Sequence, residues 1–510
     1  MGSPPRATNR KTPTKMKSLQ LKLREQPPIV RFLGVIMLLH LVFWTLIPDL
    51  YYTVLPLDSL EAVAWGSGFS LGNAKHPPLT GWIAGLTASA TGHADWPIYL
   101  LSQICVAGGM LCIYLLAREF FGREGSALAA LTPEYILYYN VTTPEFNVNM
   151  PMLLLWPAAA LFFVRAYRRD RLRDWILLGV VSGLCVLCKY YSALLFASFA
   201  VFLLISRERR RLFLSAGPWI AAAACCVVIL PHAMWALTGG LAMMEEYVEK
   251  RMTTGGNASW FKRHVLDVLT ILGNAALVVL IPYGAFRLSK RERSQLPSDP
   301  VRREGMLFAL VMTVLPLFVL TVIGLSGKSI RAMWLDPLFF PLGILLVSLF
   351  PAEWTEKQLG RFRIATIFVF TLAISYVGVA AATHTTHRKS FPARQIAKSV
   401  SETYRERTGR PLEVMAGNAW TAGMFRQYAP GHPQGCILRN RSEAERLGPM
   451  LKERGGLVVS DKEEDILAAM KYSGRTDAPR MSFVVEYRSL FGKKRVRTIH
   501  LAFLDGAAVK

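Results

Sequence analysis

Residues 56–82 read PLDSLEAVAWGSGFSLGNAKHPPLTGW. They set two acids, Asp58 and Glu61, ahead of a basic pair, Lys75 and His76, that leads into a double proline. Further along come Glu145, Asn147, Asn149, Lys189, Tyr190, His232, Lys328 and Arg331. A carboxylate can act as general base on a hydroxyl. Lys, Arg and His can hold a phosphate and stabilise it as it leaves. The two sets together suit transfer of a group from a phosphate carrier to a hydroxyl. Each residue also has a plainer reading: loop charges are usually solvated, and a Lys or Arg at a helix end often reaches out to water. Two residues resist it. Asp58 precedes LEAVAWG, an amphipathic segment with Trp65 that is expected to lie along a membrane interface. Lys189 interrupts an apolar region, where an unpaired ammonium is expensive. For Glu61 and Glu145 both readings stay open.

The elements that must position these side chains are mostly apolar. The chain has 510 residues, 52% of them hydrophobic, and a formal charge of +24; its mean hydropathy is +0.30. A soluble protein of this length is less apolar. The apolar residues come in blocks of about 18–22, enough for a helix to cross a hydrocarbon core. Expected spans lie near 29–49, 97–117, 125–141, 150–165, 173–188, 190–206, 213–235, 264–286, 306–326, 332–350 and 362–382. Basic runs such as RAYRRDRLRD and RERRR fall between them and share one side if there are about eleven spans, N-in and C-out. That placement accounts for the charge without a nucleic-acid partner. Residues 1–28 form a basic cytoplasmic arm with no cleavable signal pattern. The site residues then gather on the outer side, on loop 50–96, loop 236–263 and helix ends. Gly239, Gly240, Gly255 and Gly256 make 236–263 a candidate lid.

Six of the seven cysteines lie in apolar runs, and the Cys185–Cys188 pair sits inside a span. They read as small hydrophobes in helix packing. Residues 385–510 differ in kind. Amphipathic helical stretches (393–407, 443–454, 462–472) alternate with strand-like LEVMA, GLVVS, SFVVEY and RTIHLAFL. The expected architecture is therefore an all-α polytopic membrane domain, 29–384, followed by a small external α/β domain.

The run from Asp58 and Glu61 through Trp65, Gly66 and Gly72 to KHPPL and Trp82 resembles the first external loop of bacterial polyprenyl-phosphate-sugar-dependent transferases. These are the GT-C fold enzymes of the protein-mannosyltransferase-like superfamily, which includes the aminoarabinose and galacturonic acid transferases acting on lipid A and its core. Their loop reads Asp-Glu, an aromatic stretch, Gly-Tyr, then His or Lys before Pro-Pro-Leu. Spacing back from His76 puts Asp58 on the catalytic acid; the usual adjacent Glu is Ser59 here, and Glu61 falls one turn on. NMPMLLLW resembles a segment that starts with an acid, and Asn149 stands in that place. LCKYYS, LPHAMW and GKSIRAMWLDPLFFP add further likeness.

The resemblance implies an inverting transfer from a polyprenyl-phosphate sugar donor to an envelope glycolipid, lipid A or lipopolysaccharide core, at the periplasmic face of the inner membrane. Asp58 would be the base. Lys75, His76, Lys189, Lys328 and Arg331 would hold the donor phosphate. Glu61 and Glu145 would orient the sugar, or a cation, and Asn149, Tyr190 and His232 would bind substrate. Some relatives bind a divalent cation with external acids and a His, which makes His232 with Glu145 or Glu61 a candidate pair. Two rivals make different demands. A transporter needs polar residues at mid-membrane depth and broken spans in both halves. A non-catalytic scaffold would act through its tail.

Overall fold

The computed structural model describes residues 25–253, 299–325, 336–350, 353–383, 388–438 and 441–504, with isolated positions at 269, 273, 280 and 284. Nearly all of the basic arm, the span expected at 264–286, Lys328 and Arg331 lie outside the described residues.

The chain is a multi-pass membrane protein. Among the described residues six helices are long and apolar enough to cross a bilayer, seven if the bent pair Tyr190–Ile205 and Arg207–Leu214 is one span. The first half holds α1 Pro28–Tyr51, α2 Leu57–Trp65, α3 Leu79–Ala90, α4 Trp96–Ala117, α5 Arg123–Leu131, α6 Asn149–Arg169, α7 Leu172–Cys188, α8 Ala193–Ile205 and α9 Ala216–Trp235. The second holds α10 Leu241–Thr253, α11 Pro300–Leu325, α12 Leu342–Ser348 and α13 Glu356–Thr383.

Several regions depart from the sequence expectation. The described part of the span expected at 332–350 is a 3₁₀ turn over Asp336–Phe339 and the short α12, broken at Pro341, which has no N–H to donate. The span at 125–141 is helical only to Leu131 and then runs through short 3₁₀ turns. Pro133 has no N–H to donate. The carbonyl of Glu134 is bound by Asn140 Nδ2 at 2.7 Å, and its carboxylate lies 3.2 Å from His40 Nδ1 on α1. Broken backbone and a carboxylate are tolerated at this depth because both are enclosed by protein. Residues 236–253, expected to be loop, are helical: a π-type turn over Ala236–Gly240 leads into α10. Gly239, at φ +122°, takes the bend between α9 and α10, a conformation that favours glycine.

Beyond α13 comes the α/β domain. It contains α14 Ala393–Thr408, β1 Val414–Gly417, α15 Ala419–Tyr428, β2 Gln434–Ile437, α16 Arg441–Arg454, β3 Gly456–Ser460, α17 Glu463–Ser473, β4 Arg480–Tyr487 and β5 Arg495–Leu504. The sheet order is β2-β1-β3-β5-β4. β1 pairs in parallel with β2 and β3, and β5 runs antiparallel to β3 and β4. Asn418 caps α15 by accepting from the Trp420 and Thr421 N–H groups.

α2 is where the two domains meet. Its residues Ser59 to Ala64 are all buried, so the expected interfacial helix is instead enclosed between domains. One end packs on α3 through glycines: a Cβ on Gly66 would stand 2.2 Å from the Gly81 carbonyl oxygen and 2.6 Å from Gly85 Cα. The other side meets α15, where a Cβ on Gly423 would stand 2.2 Å from the Leu60 carbonyl oxygen. Polar contacts close the seam. Tyr428 Oη accepts from the Leu55 N–H at 2.8 Å, and Thr53 Oγ1 donates to the Phe391 carbonyl at 2.8 Å. Arg394 bridges to Asp95 at 2.9 Å. Gln427 Nε2 donates to the His93 carbonyl at 2.9 Å, and the His93 and His432 rings stack 3.7 Å apart.

Candidate functional site

Asp58 lies in the first turn of α2 and is half-buried. Its backbone N–H donates to Glu145 Oε1 at 2.9 Å. A carboxylate from a distant loop thus sits at the start of α2, where free N–H groups and the helix dipole favour negative charge. Burial, then the charge of Asp58, push the Glu145 carboxyl above its ordinary 4.5; the Asp58 N–H, Lys389 and Lys75 oppose that shift. Two carboxyl groups in unlike surroundings can divide the roles of base and proton holder.

One turn along α2, Glu61 is buried and accepts from Lys75 Nζ at 2.6 Å. Lys75 also stands 5.6 Å from the Trp65 ring centroid, near enough for a cation–π contact. Asn73 Oδ1 accepts from the Lys75 and His76 N–H groups, at 3.0 Å each, and so shapes the turn before the prolines. His76 meets Trp65 edge-on. Burial, then the charges of Lys75 and Lys189, push its imidazole well below 6.5. His76 is therefore neutral at pH 7 and offers hydrogen bonds, not the charge that its sequence context suggests.

Lys189 sits at the α7–α8 break and is 8% exposed. Its ammonium donates to Asn149 Oδ1 at 3.0 Å and lies 4.9 Å from the Tyr191 ring centroid. Asn149, where an acid was expected, is thus a neutral acceptor for this lysine. Asn147 Oδ1 in turn accepts from the Asn149 N–H at 2.8 Å.

Tyr190 and His232 form a second group. His232 Nδ1 lies 2.7 Å from the Leu71 carbonyl, and its Nε2 lies 2.7 Å from Tyr190 Oη. The carbonyl can only accept, so Nδ1 donates to it; Nε2 then accepts from the tyrosine. Both ring nitrogens of His232 are engaged in these contacts. Among the described residues no group of three or more His, Cys, Asp and Glu is placed to hold a metal.

Sequence reasoning missed Arg388 and Lys389. The Lys389 carbonyl accepts from the Thr53 N–H at 2.9 Å, and its ammonium lies 3.1 Å from Tyr52 Oη. Arg388 lies 3.9 Å from Asp461 and stacks over Trp420 at 5.3 Å. A signal was present: two adjacent cations directly follow the last expected span, where the N-in, C-out reading expects few Lys and Arg.

Residues 75–235 match the family described as dolichyl-phosphate-mannose-protein mannosyltransferase. The lipopolysaccharide core galacturonosyltransferase RgtA of Rhizobium johnstonii is 25% identical over 398 residues, which is 74% of this chain and 77% of that protein. The undecaprenyl phosphate-alpha-4-amino-4-deoxy-L-arabinose arabinosyl transferase of Pectobacterium atrosepticum is 26% identical, over 53% of this chain and 48% of that one. The crystal structure of ArnT from Cupriavidus metallidurans bound to undecaprenyl phosphate superposes with a TM-score of 0.57 at 12% identity, covering 92% of this chain and 97% of that chain. That likeness establishes a shared fold.

Proposed function

We propose that this chain, a GT-C glycosyltransferase of the protein-mannosyltransferase-like superfamily, moves a sugar from a polyprenyl phosphate to an envelope glycolipid at the periplasmic face of the bacterial inner membrane. The observation that carries the reading is the meeting of Asp58 and Glu145 at the start of α2, with Lys75 near Glu145 and both Lys75 and Lys189 near His76. The likeness to the core galacturonosyltransferase RgtA over 74% of this chain supports lipopolysaccharide core, with lipid A second, as the acceptor.

Asp58 takes the proton of an acceptor hydroxyl while that oxygen bonds to the anomeric carbon from the face opposite the phosphate. The carbon–oxygen bond to phosphate breaks, and the bonding pair leaves on the polyprenyl phosphate. Lys75 and Lys189 meet that charge. His76 adds a neutral hydrogen bond. Lys328 and Arg331 belong to the same set. Glu145, Asn149 and Tyr190 orient the sugar, and Arg388 and Lys389 face an anionic acceptor.

The test is a purified-protein assay. Full-length chain in nanodiscs receives undecaprenyl-phosphate sugars and core or lipid A acceptors, with products read by mass spectrometry. Product from wild type, none from Asp58→Asn, supports the reading. Transport without transfer, or equal turnover by the variant, removes it.

A further inference from the structure

The β4–β5 hairpin ends in a tip that the proposed reaction does not use. The strands close at Tyr487 and Arg495. Between them Leu490 is 67% exposed and Phe491 is 75% exposed. A soluble surface rarely presents two adjacent large apolar side chains on a protruding turn without a partner. The tip is also fastened: the Phe491 N–H donates to the Ala382 carbonyl at 2.9 Å, and the Gly492 N–H closes the turn onto the Ser489 carbonyl at 3.2 Å.

Ala382 fixes the height of the tip. It is the penultimate residue of α13, a spanning helix of 28 residues. At 1.5 Å per residue α13 is about 42 Å long, close to the ~40–45 Å of a bilayer with its headgroup layers. The basic residues Lys357, Arg361 and Arg363 mark its opposite end. Ala382 therefore stands at headgroup level on the site side of the membrane, and the tip stands there with it. Arg488, Lys493, Lys494 and Arg495 surround the two apolar side chains and are all exposed. The neighbouring acid Glu486 is paired with Lys494. An apolar tip inside a basic collar, held at this depth, fits an interface whose inner part is acyl chain and whose outer part is anionic headgroup.

We propose that this hairpin is a second membrane anchor, which inserts Leu490 and Phe491 below the headgroups of an anionic leaflet and so holds the α/β domain down on the bundle. The α/β domain is then fixed to the bilayer through its own surface as well as through α13. The claim is independent of the reaction and survives if the transferase reading fails.

The test places a photo-cross-linker in the full-length chain, as Phe491→p-benzoylphenylalanine, in nanodiscs that mix anionic and zwitterionic phospholipid. The same probe at Val484, 61% exposed but further up β4, is the control. Mass spectrometry of the irradiated protein is expected to show lipid adducts several-fold more abundant at 491 than at 484. Changing Arg488, Lys493, Lys494 and Arg495 together to Gln should lower the share of anionic lipid among those adducts to its share in the nanodisc. Equal adducts at the two positions, or adducts at 491 to protein only, overturn the anchor. An unchanged anionic share overturns the role of the collar.

Discussion

The membrane half of the site and its α/β half are built on different physics. In the membrane half, polar side chains meet one another directly: Lys75 with Glu61, Lys189 with Asn149, Tyr190 with His232. In the other half, surfaces meet without spare room, as Gly423 does on Leu60, and stacked rings and amide bonds finish the seam. In the proposed reaction one half carries the chemistry and the other sets where it stands. Enclosing α2 between them keeps Asp58 in place with little freedom to lose on binding.

The sharpest way to separate the halves is Asp58→Asn. It should lower turnover by about 10²–10⁴ while leaving thermal unfolding and the domain seam unchanged. Equal activity would move the base elsewhere. Gly423→Ala attacks the other half: the added carbon meets the Leu60 carbonyl, and overpacking of this kind costs about 1–3 kcal/mol. The unfolding temperature should fall and kcat with it, whereas a stable variant that is merely slow would contradict the division of labour. Lys189→Met should come next. Loss of one phosphate contact should raise the donor KM about tenfold, or ~1.4 kcal/mol, with the acceptor KM unmoved; a shift in both would place Lys189 outside the donor site.

The smallest effect belongs to the seam histidines. Burial first, then His432 and Arg426, push His93 down to about 4; burial also lowers His432. A folded-state pKa below the unfolded 6.5 means that the folded state resists protonation. The stability they contribute is then complete above 6.5 and lost as pH falls from there towards about 4. His93→Asn should flatten that stretch of the stability–pH curve. The same slope in the variant would exclude the seam as its source.

The sequence exposed the two halves unequally. Asp58, Glu61, Lys75 and Lys189 stood out because charge beside apolar spans is costly and short-range motifs preserve spacing. The tail strands at 456–460, 480–487 and 495–504 were legible from their apolar runs. α15 and β2 were not, and these are the elements that cover α2. α15 is buried along nearly its whole length, so no polar face gives it a helical period, and β2 has only four residues. The burial of α2 was equally hidden, because an amphipathic helix looks the same whether its cover is lipid or protein. Pairings such as His40 with Glu134, far apart in the chain, leave no local pattern.

The contact between Leu55 and Tyr428 spans 373 positions of the chain. At a synthesis rate of ~5–20 residues per second, roughly 20–75 s separate the ribosome's delivery of the two ends. Through that interval the helix bearing Asp58 waits in the nascent protein without its lid of α15. A message truncated between the end of α13 and codon 428 would yield a polypeptide with its spanning helices yet, on the proposed mechanism, mute as a catalyst. Quality control at the translocon would then meet a bundle whose exposed seam, and not its spans, betrays it as unfinished.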